Sequence, residues 1–285
     1  MKNYKLSDDT KTLPWGLVLH RVIATTTFTL ACGLTVNAGD VGGWIEKEFN
    51  LSGNAWVSGD AMVYGNAQVS GDALVSGYAK VYGYTKVYNS AKVSGNARVS
   101  GNAKVYNDAR VYNSAKVSGN AKVYNNAKVS DNARVSGDAK VYNNAHVYGD
   151  TEVSDDAQVY GNARVYDDAW VSGDARVYDD AQISDNAWVC DGAWVYGNAQ
   201  VSGEAQVCSD ARVANASDYI VFKNNWSSNR YFTWTKSNDM WSVGCFYGTG
   251  DELIKKAYAD SEVSGKHYEA CVKSVKTLKN VEQEK

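Results

Sequence analysis

The chain has 285 residues, a formal net charge of −3, five cysteines, three histidines and a single proline. No long apolar run interrupts it, and Met1-Lys2-Asn3-Tyr4-Lys5 is polar from the first residue, so the sequence predicts neither a membrane span nor an export signal. An odd cysteine count without a C-x-x-C pair points to neither a disulfide framework nor a zinc site, and no cofactor or metal is expected.

Residues 1–54 read as an N-terminal cap. Leu17-Val18-Leu19-His20-Arg21-Val22-Ile23 has strand composition, and the Gly42-Gly43 pair reads as a tight turn that swings Trp44 over the first coil of the adjoining segment. A phosphate-cradling loop at Gly39 to Glu46 is the weaker reading, because no lysine or helix start comes after it.

From Ala55 to Val213 the hexad A-x-V-[S/Y]-[G/N/D]-[N/D] runs without a break, with an aliphatic residue at Val57 and at every sixth position after it, 27 times. A unit that short buries nothing alone, so copies must stack into a solenoid over residues 55–216. Ala91 and Val93, two apart, point to one side of a short strand, while Lys92 and Ser94 point out. The Gly/Asn/Asp pair after them is corner chemistry. Only Ile183 departs among the valines, and only Thr85 and Thr151 among the alanines, so the interior is a methyl-filled layer with no room for a ligand.

The residue after each valine sorts at a spacing of eighteen. One phase reads Tyr88, Tyr106, Tyr124, Tyr142, Tyr160, Tyr178 and Tyr196; a second runs from Ser100 through Ser172 to Cys190 and Cys208, with no tyrosine; the third mixes the two types. Eighteen residues per coil predicts an all-β fold, a triangular parallel β-helix of about nine coils, roughly 40 Å long at ~4.8 Å per coil. Cys190 and Cys208 become stacked neighbours, read here as two small residues replacing serine in a column, with a disulfide as the alternative in an oxidising compartment. An exposed end coil lacks a neighbour and offers an open edge, so both ends need caps.

Every outward site before a valine from Lys80 to Lys140 is lysine or arginine, eleven in a row, against Asp108, Asp131 and Asp138. Between Asn144 and Asp191 eleven acids face only Arg164 and Arg176. The rod is an electric dipole. This predicts self-association through the flat tyrosine face, as an antiparallel dimer setting basic against acidic sections. Lys86, Lys104, Lys122 and Lys140 precede four of the tyrosines, which permits a nucleic-acid-binding rod. Rings ~4.8 Å apart leave no gaps for bases, however, and the chain is slightly acidic, so nucleic acid is disfavoured.

Residues 217–285 change pattern. Tyr219 to Lys223, Arg230 to Thr235 and Trp241 to Phe246 read as strands; Thr249-Gly250-Asp251-Glu252 reads as a capping box ahead of a short helix through Tyr258; and His267 to Val275 reads as a further strand. The result is a small aromatic-rich α+β domain. Trp226, Trp234 and Trp241 exceed what a core of this size needs, so an exposed ring is expected to mark a binding face, with Arg230, Tyr231, Trp234 and Lys236 as candidates.

The aliphatic residue joined four positions later by a small one, as in Val93 to Ala97, resembles the hexapeptide repeat of left-handed β-helix proteins, best known from acyltransferases. The resemblance covers residues 55–214 and implies a left-handed coil, trimers through that same tyrosine face in place of the antiparallel dimer, a histidine base near the subunit boundary and loops inserted between coils. This chain has no inserted loops, and its only solenoid histidine, His146, occupies an outward site among lysines and arginines. The glycine also stands two places after the aliphatic residue rather than one. The usual right-handed crossover preference argues the other way on hand, and the sequence leaves the hand open.

Gly39-Asp40-Val41-Gly42-Gly43-Trp44-Ile45-Glu46, with Asn50-Leu51-Ser52 after it, is similar to the opening of uncharacterised bacterial and prophage-borne hexad-repeat proteins. Asp218-Tyr219-Ile220-Val221-Phe222-Lys223 and Gly244-Cys245-Phe246-Tyr247-Gly248 resemble a small aromatic domain of phage and phage-derived genes. These resemblances imply a phage or prophage product working in a bacterial cytoplasm. The expected function is a non-enzymatic binding scaffold that engages a host protein or a small signalling molecule and blunts a host defence system. The alternative class is an enzyme, either a degenerate acyltransferase or a chemistry in the tail, where His267, Cys245 and Cys271 lie scattered on predicted strands.

Overall fold

The structure is a computed structural model and describes residues 2–283; residue 1 and residues 284–285, the outer ends of the two terminal units, lie outside it. The hexads form short strands of two or three residues that pair in parallel with the strand eighteen positions on, as Lys86↔Lys104, Val87↔Val105 and Tyr88↔Tyr106. Three sheets result, each with nine solenoid strands, so the prism has nine coils. The tyrosine phase lies on one face, and the N-terminal strands extend another, here called the capped face.

Each part of the hexad has a physical task. Alanine and valine are 0 % exposed in nearly every coil and form one continuous core. The residue between them sends its N–H to the alanine carbonyl of the next coil (Lys122 to Ala139, 2.9 Å), and the residue after the valine sends its N–H to the next valine (Ser70 to Val87, 2.9 Å). The ladder continues round the bends, where Asn120 N–H donates to the Gly137 carbonyl at 2.8 Å.

All 27 corners, from Gly53 to Ser209, place the second residue after the valine in the left-handed region, at φ between 55° and 83°. Fifteen of these are glycine, five asparagine, six aspartate and one serine, the residue types that enter this region at least cost. Corner asparagines also chain upward through their side-chain amides, Asn89 to Asn107 to Asn125 to Asn143, at 2.7, 2.8 and 3.0 Å.

The ends differ from the sequence reading in detail. Tyr4–Thr12 and Val18–Ala24 form an antiparallel hairpin, and Val41–Ile45 joins it to the solenoid by pairing in parallel with Met62–Val63. Gly42 and Gly43 are therefore strand residues, not a turn. They are small because the chain crosses the first coil at contact: a Cβ on Gly42 would lie 2.5 Å from the Val57 carbonyl oxygen, and one on Gly43 2.7 Å from that of Ala61. Trp44 does not swing over the first coil but takes an outward site in register with Met62, packed with Leu13 and Leu19 and with the Arg21 guanidinium 4.1 Å from its ring, while Ile45 enters the core.

At the other end, Tyr219–Lys223, Tyr231–Thr235, Met240–Val243 and Phe246–Gly248 form an antiparallel sheet, backed by α1 (Gly250–Asp260) and α2 (Glu262–Gln283). The predicted capping box is present: Thr249 Oγ1 accepts from the Glu252 N–H, and Glu252 Oε2 accepts from the Thr249 N–H at 2.8 Å. His267 to Val275 is not a strand but the middle of α2. Tyr268, Val272 and Val275, at helical spacing, pack on Phe232, Trp241 and Leu253. Cys271 is accordingly helical, and Cys245 sits in a turn.

This domain closes the prism with one side-chain group per face. Thr233 Oγ1 accepts the Gln206 N–H at 2.8 Å, Ser237 Oγ accepts the Arg212 N–H at 2.7 Å, and Tyr219 donates its hydroxyl to the Gln200 carbonyl at 2.9 Å. Three backbone groups of the last coil, one on each face, are thereby occupied rather than offered to another chain. A second correction concerns Cys190 and Cys208, which are bonded as a disulfide across adjacent coils, with Cα atoms 4.5 Å apart. In-register stacking brings any eighteen-spaced pair to this separation, within the range a disulfide spans.

Candidate functional site

The tyrosine face is the most regular surface of the molecule. In-register pairing sets Tyr88, Tyr106, Tyr124, Tyr142, Tyr160, Tyr178 and Tyr196 in one column, with ring centroids 4.8–5.3 Å apart and planes within 8°. Burial in the stack, with Tyr142 and Tyr106 on either side, pushes the Tyr124 phenol up to about 12; burial also raises Tyr88, Tyr106, Tyr142, Tyr160 and Tyr178. Shorter stacks of the same kind, Tyr64 on Tyr82 and Tyr148 on Tyr166, stand on the other faces.

Two residues before these tyrosines, Lys86, Lys104, Lys122 and Lys140 form a parallel column in which like charges lie directly over one another. Among the described residues, none of the eleven basic side chains from Lys80 to Lys140 has a carboxylate within 4.0 Å. On the far side of the tyrosines, corner asparagines border a shallow groove of about 550 Å³ running from Asn89 to Asn162. Further along, Trp194 replaces the lysine and lies between the guanidinium groups of Arg176 and Arg212, at 4.9 and 4.8 Å.

The four candidates in the C-terminal domain do not converge. Trp234 is 3 % exposed, sits in the domain core and donates its indole N–H to Asp239 at 2.8 Å, so it presents no ring to a ligand. Strand alternation explains this, because Phe232 and Trp234 share the face that α2 covers. Arg230 is exposed, and Tyr231, partly buried, carries the Lys223 ammonium 4.9 Å from its ring. Lys236 lies at the opposite end of the same strand, where its N–H donates to the Asp218 carbonyl.

The most exposed ring among the described residues of this domain is Trp226, 76 % accessible in the turn before Arg230 and stacked on His267 at 5.9 Å and 11°. That turn is at the end of the sheet remote from the solenoid. Below the sheet, Trp241, Val272 and Val275 floor a cleft of about 320 Å³. Its rim is tied by Lys279 to Asp239 at 2.8 Å and Lys276 to Asp251 at 3.0 Å. Burial would raise the Asp239 carboxyl, but hydrogen bonds from Lys279 and Trp234 and the charges of Lys279 and Lys276 hold it below its ordinary value.

His146 is not freely exposed. Its ring leans on Tyr148 at 4.4 Å, and Nε2 lies 3.4 Å from the Ser130 hydroxyl. Burial and Lys128 lower the imidazole, Asp131 pulls the other way, and Arg164 lowers it further. Serine and histidine are a nucleophile and base by type. Ser130, however, is only 2 % exposed beneath the ring, which blocks a substrate carbonyl from its oxygen.

Sequence reasoning missed the pair Trp170 and Trp188, 53 % and 37 % exposed on the capped face with ring centroids 6.4 Å apart. The signal was the same eighteen-residue spacing that sorted the tyrosines. Among the described residues no helix is long and apolar enough to cross a membrane. No curated protein matches the chain. Four stretches, residues 67–83, 91–105, 157–173 and 181–197, each close to one coil in length, match the YdcK β-solenoid repeat, and the central unit is accordingly a β-solenoid of nine coils similar to that repeat family.

Proposed function

We propose that this protein is a non-enzymatic binding scaffold, a rigid rod that holds an aromatic C-terminal domain in a fixed orientation toward a host protein or a small signalling molecule. The observation that carries the reading is the junction. The domain continues from the last coil without a linker and is fastened to it by Thr233, Ser237, Tyr219 and a further bond from Asn238 Nδ2 to Asp210 at 3.1 Å. A module so fastened keeps its ordering cost out of the binding step, and its exposed Trp226, stacked on His267 and four residues before the exposed Arg230, is the type of anchor that binding faces use. The similarity of the opening and the tail to prophage-borne proteins supports a phage setting inside a bacterium, and with it the inhibition of a host defence system.

The test is co-purification of the tagged full chain from an infected or lysogenic bacterium, beside a Trp226→Ala/Arg230→Ala variant. We expect one protein or one small molecule to be held by the wild type and lost from the variant. If the wild type retains nothing specific, or the variant retains the same material, the scaffold reading is wrong.

A further inference from the structure

We infer that the tyrosine face is a self-complementary interface on which two copies of the chain pair antiparallel about a two-fold axis at Tyr142. Such pairing is independent of what the C-terminal domain binds.

Three features of the face point to a second copy. The first is symmetry. Numbering the strands of this face from Gln68 to Arg212, the tyrosines occupy the second to the eighth of nine, so Tyr142 is at the middle both of the column and of the face. A two-fold axis lying in the interface, across the rod at Tyr142, sets Tyr88 of one copy against Tyr196 of the other and every ring between against a ring. Isologous dimers require this self-matching.

The second is charge. Along the seven tyrosine rungs, Lys86, Lys104 and Lys122 stand against Asp108 before the axis, Lys140 and Asp138 lie at the axis itself, and Arg176 stands against Asp155, Asp156, Asp174, Asp179, Asp180 and Asp191 after it. The two-fold keeps each column at its own lateral position while reversing it end to end. Lys122 is then set opposite Gln158, beside Asp156, and Lys104 opposite Arg176, beside Asp174. Lys140 meets its own copy on the axis, flanked by both Asp138 carboxylates. The lysine-rich half of each copy thereby faces the acid-rich half of the other, with Lys104 against Arg176 and Lys140 against its own copy as the two like-charge contacts. A parallel trimer does the reverse, aligning basic coils with basic coils, so this pattern opposes it.

The third is shape and area. Rings within 8° of one another make a flat strip, set in an ordered lattice that changes little on docking. Seven rungs at ~4.8 Å and about six residues across give roughly 700 Å² per copy, close to the ~800 Å² per partner of a standard stable interface. Neither cap covers these seven rungs: the N-terminal strands extend a different sheet, and the C-terminal domain fastens at the last coil.

Sedimentation of the full chain at low and high salt tests the proposal. We expect a dimer at micromolar concentration that weakens as salt screens the charges. Tyr142→Arg, which sets two cations face to face on the axis, is expected to weaken the dimer by about 100-fold or more while leaving the β-sheet circular dichroism unchanged. Lys122→Glu leaves the tyrosine stack intact and weakens the dimer as well; adding Asp156→Lys restores it only in the antiparallel register. A monomer at every salt concentration, a trimer, a dimer indifferent to Tyr142→Arg, or a Lys122→Glu/Asp156→Lys variant that does not recover would each overturn the inference. So would a monomer that shifts oligonucleotides through the lysine column, which would make the face a nucleic-acid surface.

Discussion

Two threonines replace alanine inside the prism, and they provide a matched test of how the core is built. Thr85 is fully buried but donates its hydroxyl to the Tyr82 carbonyl at 2.6 Å. Thr151, between Ala133 and Ala169 in the capped-face column, is the one fully buried side-chain oxygen without a hydrogen-bond partner among the described residues. Valine has the shape of threonine with a methyl in place of the hydroxyl. An unmatched buried hydroxyl costs about 1–3 kcal/mol, whereas a satisfied one contributes about 0.5–1.5 kcal/mol. Thr151→Val should therefore stabilise the protein by about 1–3 kcal/mol, less a small crowding term, and Thr85→Val should destabilise it by about 0.5–1.5 kcal/mol. Thr151→Ala gains less than the valine variant, because it also gives up a buried methyl worth about 0.8 kcal/mol. Urea unfolding monitored by circular dichroism reads the effect as a change of midpoint at unchanged slope. Midpoints that move in the same direction for both valine variants, or a Thr151→Val protein less stable than the wild type, would refute the claim that hydrogen-bond satisfaction, and not volume, separates these positions.

The raised tyrosine phenols make a pH prediction. A group whose folded value lies above its unfolded one stabilises fully below the unfolded value near 10 and loses that contribution as pH rises through the folded one, so stability should fall between about 10 and 12. Phenolate absorbance and the loss of sheet signal should rise together, and a column that ionises near 10 with the fold intact would contradict this. At the corners, Gly119→Val should cost about 2–3 kcal/mol more than Gly119→Asn, because a β-branched residue is forced to φ of +66°. Asparagine, which several other corners use at the same φ, shares the Cβ contact with the next coil but not the branching, and equal losses in the same melt would count against the backbone explanation. With Cys190 and Cys208 bonded, thiol titration of the unfolded chain should find three free cysteines before reduction and five after; five before reduction would show that the pair stays open where the protein is made.

The repeat was legible because its information is local. In a prism where each coil touches only the next, the methyl positions, the corner residues and the eighteen-residue recurrence of Tyr88 to Tyr196 suffice to set strand, bend and register, and the structure contains all three. The sequence alone thus determined the solenoid, its nine coils, its filled interior and the capping box at Thr249. The tertiary structure decided whatever depends on neighbours distant in sequence. Gly42 and Gly43 resemble a turn until the Val57 and Ala61 carbonyls are seen beside them, and His267 to Val275 alternates like a strand until its apolar residues meet Phe232 and Trp241 as a helix. Trp234 resembled an anchor and is buried, while Trp226, with nothing in its local sequence to distinguish it, is exposed. Burial is a property of the whole packed domain, and no short stretch of sequence contains it.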